Sequence, residues 1–139
     1  MLKATADTNI LVSALVYKRG KPDQFLRMAL AGRISLTVSG AILDEMADVL
    51  ARKFHASAEE IAAATEIVKA AARTVKPAVQ LEVVKEDPAD NKIVECAVTA
   101  GSDYIVTGDK DLLRLGRYDA IRILNVADFL EIAKKARGR

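Results

Sequence analysis

The chain has 139 residues, with 21 Lys and Arg against 19 Asp and Glu, a formal net charge of +2. That length fits one domain, expected over residues 1–139, and is enough to fold without disulfides or a structural metal. With 51% hydrophobic and 29% charged residues the composition excludes a disordered chain, and the single Cys96 excludes an internal disulfide or a cysteine-rich zinc site. The opening Met1 to Asp7 is too short and too soon charged for a signal peptide, and no run reaches the roughly 18 apolar residues of a membrane span. A soluble, cytoplasmic protein without a membrane partner is expected.

Strand and helix patterns alternate along the chain. Leu2–Ala6 is an apolar run ending at Asp7, and Ile34–Val38 alternates with period two. Leu81–Val84, Tyr104–Thr107 and Ile121–Leu124 are rich in β-branched or aromatic residues, which makes five strand candidates. Between them, Phe25, Leu26, Ala29 and Leu30 share a helical face closed by Gly32. Ile42, Leu43, Met46, Val49 and Leu50 form a second stripe. Ser57-Ala58-Glu59-Glu60 reads as a capping box for a third helix, with Ile61, Ala64, Val68 and Ala72 facing inward. Asp87-Pro88 is placed to open a fourth helix, ended by Gly101, and Val126, Phe129, Leu130 and Ala133 mark the last. Alternating elements imply an α/β fold with a mainly parallel sheet of about five strands, which places ligands at the carboxyl ends of its strands.

The small net charge is unevenly spread. Residues 18–33 carry five basic residues and one acid, residues 82–111 eight acids and three basic residues, and residues 112–139 seven basic residues and three acids. An acidic centre between basic flanks suits a metal site that handles a polyanion, while solvated surface charge is the plainer explanation.

Four acids stand out by position. Asp7 ends the first strand and Asp109 follows the fourth, where either is also readable as a loop or cap acid. At 100° per residue, Glu45 falls at roughly 300° on the border of its apolar stripe, whereas Asp44 falls near 200° and points away. On the fourth helix Asp90 falls near 60°, inside the apolar arc, and Glu95 near 200°. A carboxylate on a buried face is costly unless paired or bound to a cation. If Asp7, Glu45, Asp90 and Asp109 converge, their repulsion raises at least one pKa unless cations intervene, and oxygen ligands without His or Cys suit Mg²⁺ or Mn²⁺.

These residues carry a resemblance. Ala6-Asp7-Thr8-Asn9-Ile10-Leu11, Ser39 followed by Ile42-Leu43-Asp44-Glu45-Met46, Asp87-Pro88-Ala89-Asp90-Asn91-Lys92 and Thr107-Gly108-Asp109-Lys110-Asp111 resemble, in order, the four motifs of a PIN domain. The likeness is to the toxin-like branch related to VapC ribonucleases and covers Ala6 to Leu130. It implies a three-layer α/β/α sandwich and a Mg²⁺- or Mn²⁺-dependent endoribonuclease cutting single-stranded RNA by in-line attack of water. By the same resemblance Asp7, Asp90 and Asp109 are the principal metal ligands, and Glu45 completes the catalytic acids. Asn9, Ser39, Thr107 and Asp111 support them, as does Thr8, and the expected partners are a small antitoxin and a second copy of the chain. Lys18, Arg19 and Lys21 are candidate RNA contacts in the loop after the Asp7 motif.

Other residues are given plainer roles. His55 is expected in a loop between helices, Cys96 in the core, and Lys134, Lys135, Arg137 and Arg139 at a helix C-terminus. Aromatic residues are 4% of the chain and Trp is absent, against a broad base-stacking surface. A haloacid dehalogenase-type phosphohydrolase needs an acid two residues after the first Asp, where this chain has Asn9. A receiver-like signalling domain needs an acidic pair near the first strand, where Asp7 stands alone. The alternative function is an inactive PIN-fold or receiver-like Mg²⁺-binding domain acting through protein–protein contacts.

Overall fold

The structure, a computed structural model, describes residues 1–77 and 91–137. Strands β1 (Lys3–Ala6), β2 (Ser35–Ser39), β3 (Ala72–Val75), β4 (Tyr104–Val106), β5 (Arg117–Tyr118) and β6 (Ile121–Leu124) form one sheet in the order β3-β2-β1-β4-β6-β5. All pairings are parallel except the short β5–β6 edge. The helices are α1 (Thr8–Val16), α2 (Lys21–Leu30), α3 (Gly40–Phe54), α4 (Ala58–Ala71), α5 (Asn91–Ala100), α6 (Lys110–Leu115) and α7 (Val126–Arg137).

Period-two alternation divides the sheet into two chemically different faces. Ala4 is in register with Leu36 and Tyr104, and on that side Phe129 of α7 meets both Tyr104 and Phe25 of α2 edge-on, at centroid distances of 5.5 and 5.4 Å. Thr5 is in register with Thr37 on the opposite face, which α5 covers. There the Cys96 side chain hydrogen-bonds Thr5 and Ser39, and burial pushes its thiol up to about 11, so it is an inert core residue. Thr5 Oγ1 also lies 2.8 Å from Ser102 Oγ, so this buried seam satisfies its own polar groups. The result is three layers, α/β/α, with the strands' carboxyl ends along one edge.

Several expected boundaries hold. The Ser57–Glu60 capping box forms with both of its hydrogen bonds, and α3 carries its predicted buried stripe. Gly32 and Gly101 adopt φ of +74° and +66° after α2 and α5. His55 is the left-handed C-cap of α3 and is exposed.

Other expectations are corrected. The sheet itself agrees with the mainly parallel one of about five strands that was expected, with six strands among the described residues, and the corrections are local. Ala72, expected on an inward helical face, is the first residue of β3, because Ala72–Val75 pairs with Leu36–Ser39 of β2. Edge pairing overrides helical propensity there. Leu30 is 47% exposed instead of inward. Helix α1 has no amphipathic stripe to reveal it, since Ile10, Leu11, Val12 and Ala14 are all buried. Helix α6 is too short for a periodic signal. The expected strand Leu81–Val84 and the Asp87-Pro88 helix start lie outside the described residues.

Candidate active site

Asp7 follows β1 directly, and its backbone N–H donates to Val106 O at 2.9 Å, tying the end of β1 to the end of β4. It is the N-cap residue of α1, and its side chain makes no cap hydrogen bond. The carboxylate instead turns to β4's continuation, where Thr107 Oγ1 donates to Asp7 Oδ2 at 2.6 Å. The same Thr107 oxygen accepts the backbone N–H of Asp109 at 3.0 Å, so one fully buried hydroxyl spans two of the expected acids. Asp109 caps α6, accepting from Leu112 N–H through Oδ2 at 3.0 Å, and among the described residues its other oxygen has no hydrogen-bond donor.

Glu45 comes from α3. It is exposed, as Asp44 is, but Glu45 Oε2 accepts from Thr8 Oγ1 at 3.3 Å, which turns it toward the Asp7 helix. Of the two acids, Glu45 is the one that makes this contact, although its side chain is exposed and does not sit on a buried face. Asp7 carries the electrostatic strain of this group. Burial pushes the Asp7 carboxyl above its usual range, the Thr107 hydrogen bond opposes this, and the charges of Glu45 and then Asp109 push it further up. Asp7 is only 5% exposed, and among the described residues no cation offsets its charge.

The remaining predicted residues are placed as follows. Ser39, buried, is the N-cap of α3 and accepts from Ile42 N–H at 3.2 Å, so its hydroxyl holds the helix that carries Glu45. Asn9 is exposed in the first turn of α1. Asp111 pairs with Arg114 at 3.2 Å in the first turn of α6. Lys18, Arg19 and Lys21 are not brought to the carboxylates. They follow α1, about 14 Å along the helix from Asp7, and Lys18 lies beside Leu50 and Phe54. Asp90 lies outside the described residues. Among those described, no three His, Cys, Asp or Glu side chains are grouped so as to hold a metal ion by themselves.

One structural acid was missed. Asp23, also 5% exposed, accepts Arg19 N–H at 3.0 Å and Arg27 Nε–H at 3.1 Å. It fastens a turn in which Arg19 adopts a left-handed φ of 72°. The four-residue spacing of Asp23 and Arg27 on one helix was the available signal.

A doubly wound parallel sheet with one buried carboxylate, Asp7, acted on by those of Glu45 and Asp109 at its carboxyl edge defines a class of acidic-site α/β proteins. A PIN domain family model matches residues 3–111, and the chain belongs to that family. It is 27% identical over 118 residues to the uncharacterized protein MJ1680 of Methanocaldococcus jannaschii, covering 82% of this chain and 75% of that one. Its fold is similar to that of a chain in VapBC2 from Rickettsia felis, solved bound to a DNA fragment from their promoter. The TM-score is 0.64 at 15% identity, with 89% of this chain and 98% of that chain covered. Among the described residues no helix is long and apolar enough to cross a membrane.

Proposed function

We propose that this chain is a divalent-metal-dependent endoribonuclease that hydrolyses phosphodiester bonds of single-stranded RNA, as the toxin member of a toxin–antitoxin pair. The observation that carries the reading is Asp7, a buried carboxylate held by Thr107, pressed by Glu45 and Asp109, and lacking a cation among the described residues. Such an arrangement is unfavourable for folding and favourable for binding Mg²⁺ or Mn²⁺. The donors are all hard oxygens, which fits those ions. Asp7, Asp109 and Asp90, which immediately precedes α5, would be the ligands, with Glu45 completing the catalytic set. When bound, such an ion supplies a water of lowered pKa and stabilises charge on the phosphodiester.

The chain's own residues do the positioning. Thr107 fixes the rotamer of Asp7 and, through the Asp109 N–H, the start of α6. Thr8 orients Glu45, and Ser39 anchors α3. Membership of the PIN domain family and the fold likeness to a VapBC2 chain support the nuclease and antitoxin parts of the reading. A homodimer and a cytoplasmic location belong to the same proposal.

The test is cleavage of end-labelled structured and unstructured RNAs with Mn²⁺, with Mg²⁺ and with EDTA, beside Asp7→Asn and Asp90→Asn. Metal-dependent internal cuts leaving 5′-phosphates, lost in both variants, are expected. Absence of cleavage together with absence of Mn²⁺ binding by calorimetry would overturn the reading in favour of a partner-binding domain.

A further inference from the structure

The opposite edge of the sheet carries a second concave feature. A cleft of about 420 Å³ runs between α2 and α7, and an adjoining hollow of about 300 Å³ shares Met28, Arg33 and Ala133 with it. The hollow reaches Leu2 and Ile34, the residues just before β1 and β2. The cleft therefore lies at the amino ends of the strands, whereas Asp7 and Asp109 lie past the carboxyl ends, roughly 13 Å away along β1.

Its chemistry is specific. Small residues, Ala31 at the C-cap of α2 and Ala133 on α7, leave the space between the two helices open. The floor is apolar, made by Met28, Leu130 and Ala133, and the rim carries Arg27, Arg33 and Lys134. Among the described residues no acid lines either hollow. Arg27 uses Nε for Asp23, and among the described residues its terminal N–H donors have no hydrogen-bond partner. Arg33 has no side-chain partner among the described residues. It is set over the cleft by the turn after α2, where Gly32 takes φ +74° and Arg33 N–H donates to Met28 O at 3.0 Å. Lys134 Nζ lies 3.6 Å from the exposed Glu131 in a solvated pair that an incoming carboxylate can replace, so Arg33 together with Arg27 and Lys134 complements a surface that is acidic and apolar at once, and an unbranched Met adapts to varied side chains.

We propose that this cleft docks an acidic amphipathic segment of a partner protein. Its apolar side chains rest on Met28, Leu130 and Ala133, and its carboxylates pair with Arg27, Arg33 and Lys134. The apolar floor and the absence of any aromatic lining residue disfavour a nucleic-acid strand, which uses stacking surfaces and a continuous cationic track. The proposal does not depend on the nuclease reading, because it concerns the other edge of the sheet.

The test uses the whole chain labelled with ¹³C at its methionine methyls and a fluorescent synthetic peptide with leucines at helical spacing and glutamates between them. The three methionines are Met1, Met28 and Met46, and Met46 is fully buried in the core. Anisotropy should show the glutamate peptide binding about tenfold tighter than its glutamine counterpart, and Arg33→Glu or Lys134→Glu weakening it by about tenfold. The control Lys69→Glu, an equal charge change on exposed α4, should leave affinity unchanged. The Met28 methyl resonance should shift on binding while Met46 stays still. Equal binding of the glutamine peptide, no binding at all, or displacement of the peptide by a short oligouridylate would each overturn the proposal. RNA cleavage measured on the same samples separates failure here from failure of the nuclease reading.

Discussion

Asp7 and Asp23 are equally buried, at 5% exposed each, and both stand at the start of helices in the same α1–α2 hairpin. Their electrostatics are opposite. Asp23 accepts the Arg19 N–H and the Arg27 guanidinium, which hold its carboxyl below the usual range. Burial and two neighbouring acids hold Asp7 above it, against the Thr107 hydroxyl. A buried charge that has its donors is structural. One that is crowded by other carboxylates is the signature expected of a site built for a cation that arrives later.

The sharpest way to break this contrast is catalytic. Asp7→Asn should lower metal-dependent RNA cleavage by about a thousandfold or more, whereas Asp23→Asn should change it by less than about threefold, read in single-turnover assays. Equal losses would mean that Asp7 is no more functional than Asp23. Thr107→Val should cost about 10–100-fold in activity or Mn²⁺ affinity, and Thr107→Ser should restore most of it. Rescue by the serine would separate loss of the hydroxyl from loss of packing.

Stability should run the other way. Asp23→Ala removes two hydrogen bonds and frees the strained Arg19 turn, and should cost about 2 kcal/mol in urea unfolding. Asp7→Asn removes an uncompensated charge and should raise Tm by a few degrees in EDTA.

The pH dependence separates the two acids by sign. The Asp23 pKa is lowered from 3.8, so its contribution is complete above that value and is lost as pH falls through the folded-state value. The Asp7 pKa is raised from 3.8, so its penalty is complete above the folded-state value and fades as pH falls toward 3.8. The stabilisation by Asp7→Asn should therefore be present at neutral pH and vanish near pH 3.8, as urea midpoints across the acid range would reveal. The smallest effect belongs to Asp48, which pairs with Arg52 on the exposed face of α3. Asp48→Ala should leave the urea midpoint unchanged within error, because an exposed ion pair is solvated and screened, whereas Asp23 accepts its two hydrogen bonds in a buried turn.

Much of the site was legible before any coordinates. Asp7 and Asp109 were singled out by their position after strand patterns and Glu45 by helical rotation, and in the structure Glu45 accepts from Thr8 while both it and Asp44 are exposed. Asp90 was singled out by the same geometry but lies outside the described residues, so its place in the set rests on the proposal. Lys18, Arg19 and Lys21 were assigned to RNA because they follow the Asp7 motif in the chain. They lie a helix length from the acids, at the far end of α1, and their contact with RNA stays part of the proposal.

Local interactions account for what could be read from residues alone. The capping box at Ser57, the glycine ends of α2 and α5, the stripes of α3 and α7 and the alternation of strand with helix all act within a few residues along the chain. The rest needed the sheet. Ala72–Val75 becomes a strand because β2 offers it a partner, and Thr107 meets Asp7 across 100 residues because β4 lies beside β1. The cleft between α2 and α7 exists only because two helices distant in sequence are brought side by side, with Phe25 against Phe129. Propensity and periodicity are short-range quantities, whereas the charge environment of a buried carboxylate depends on which strands are neighbours, and that is set by the fold as a whole.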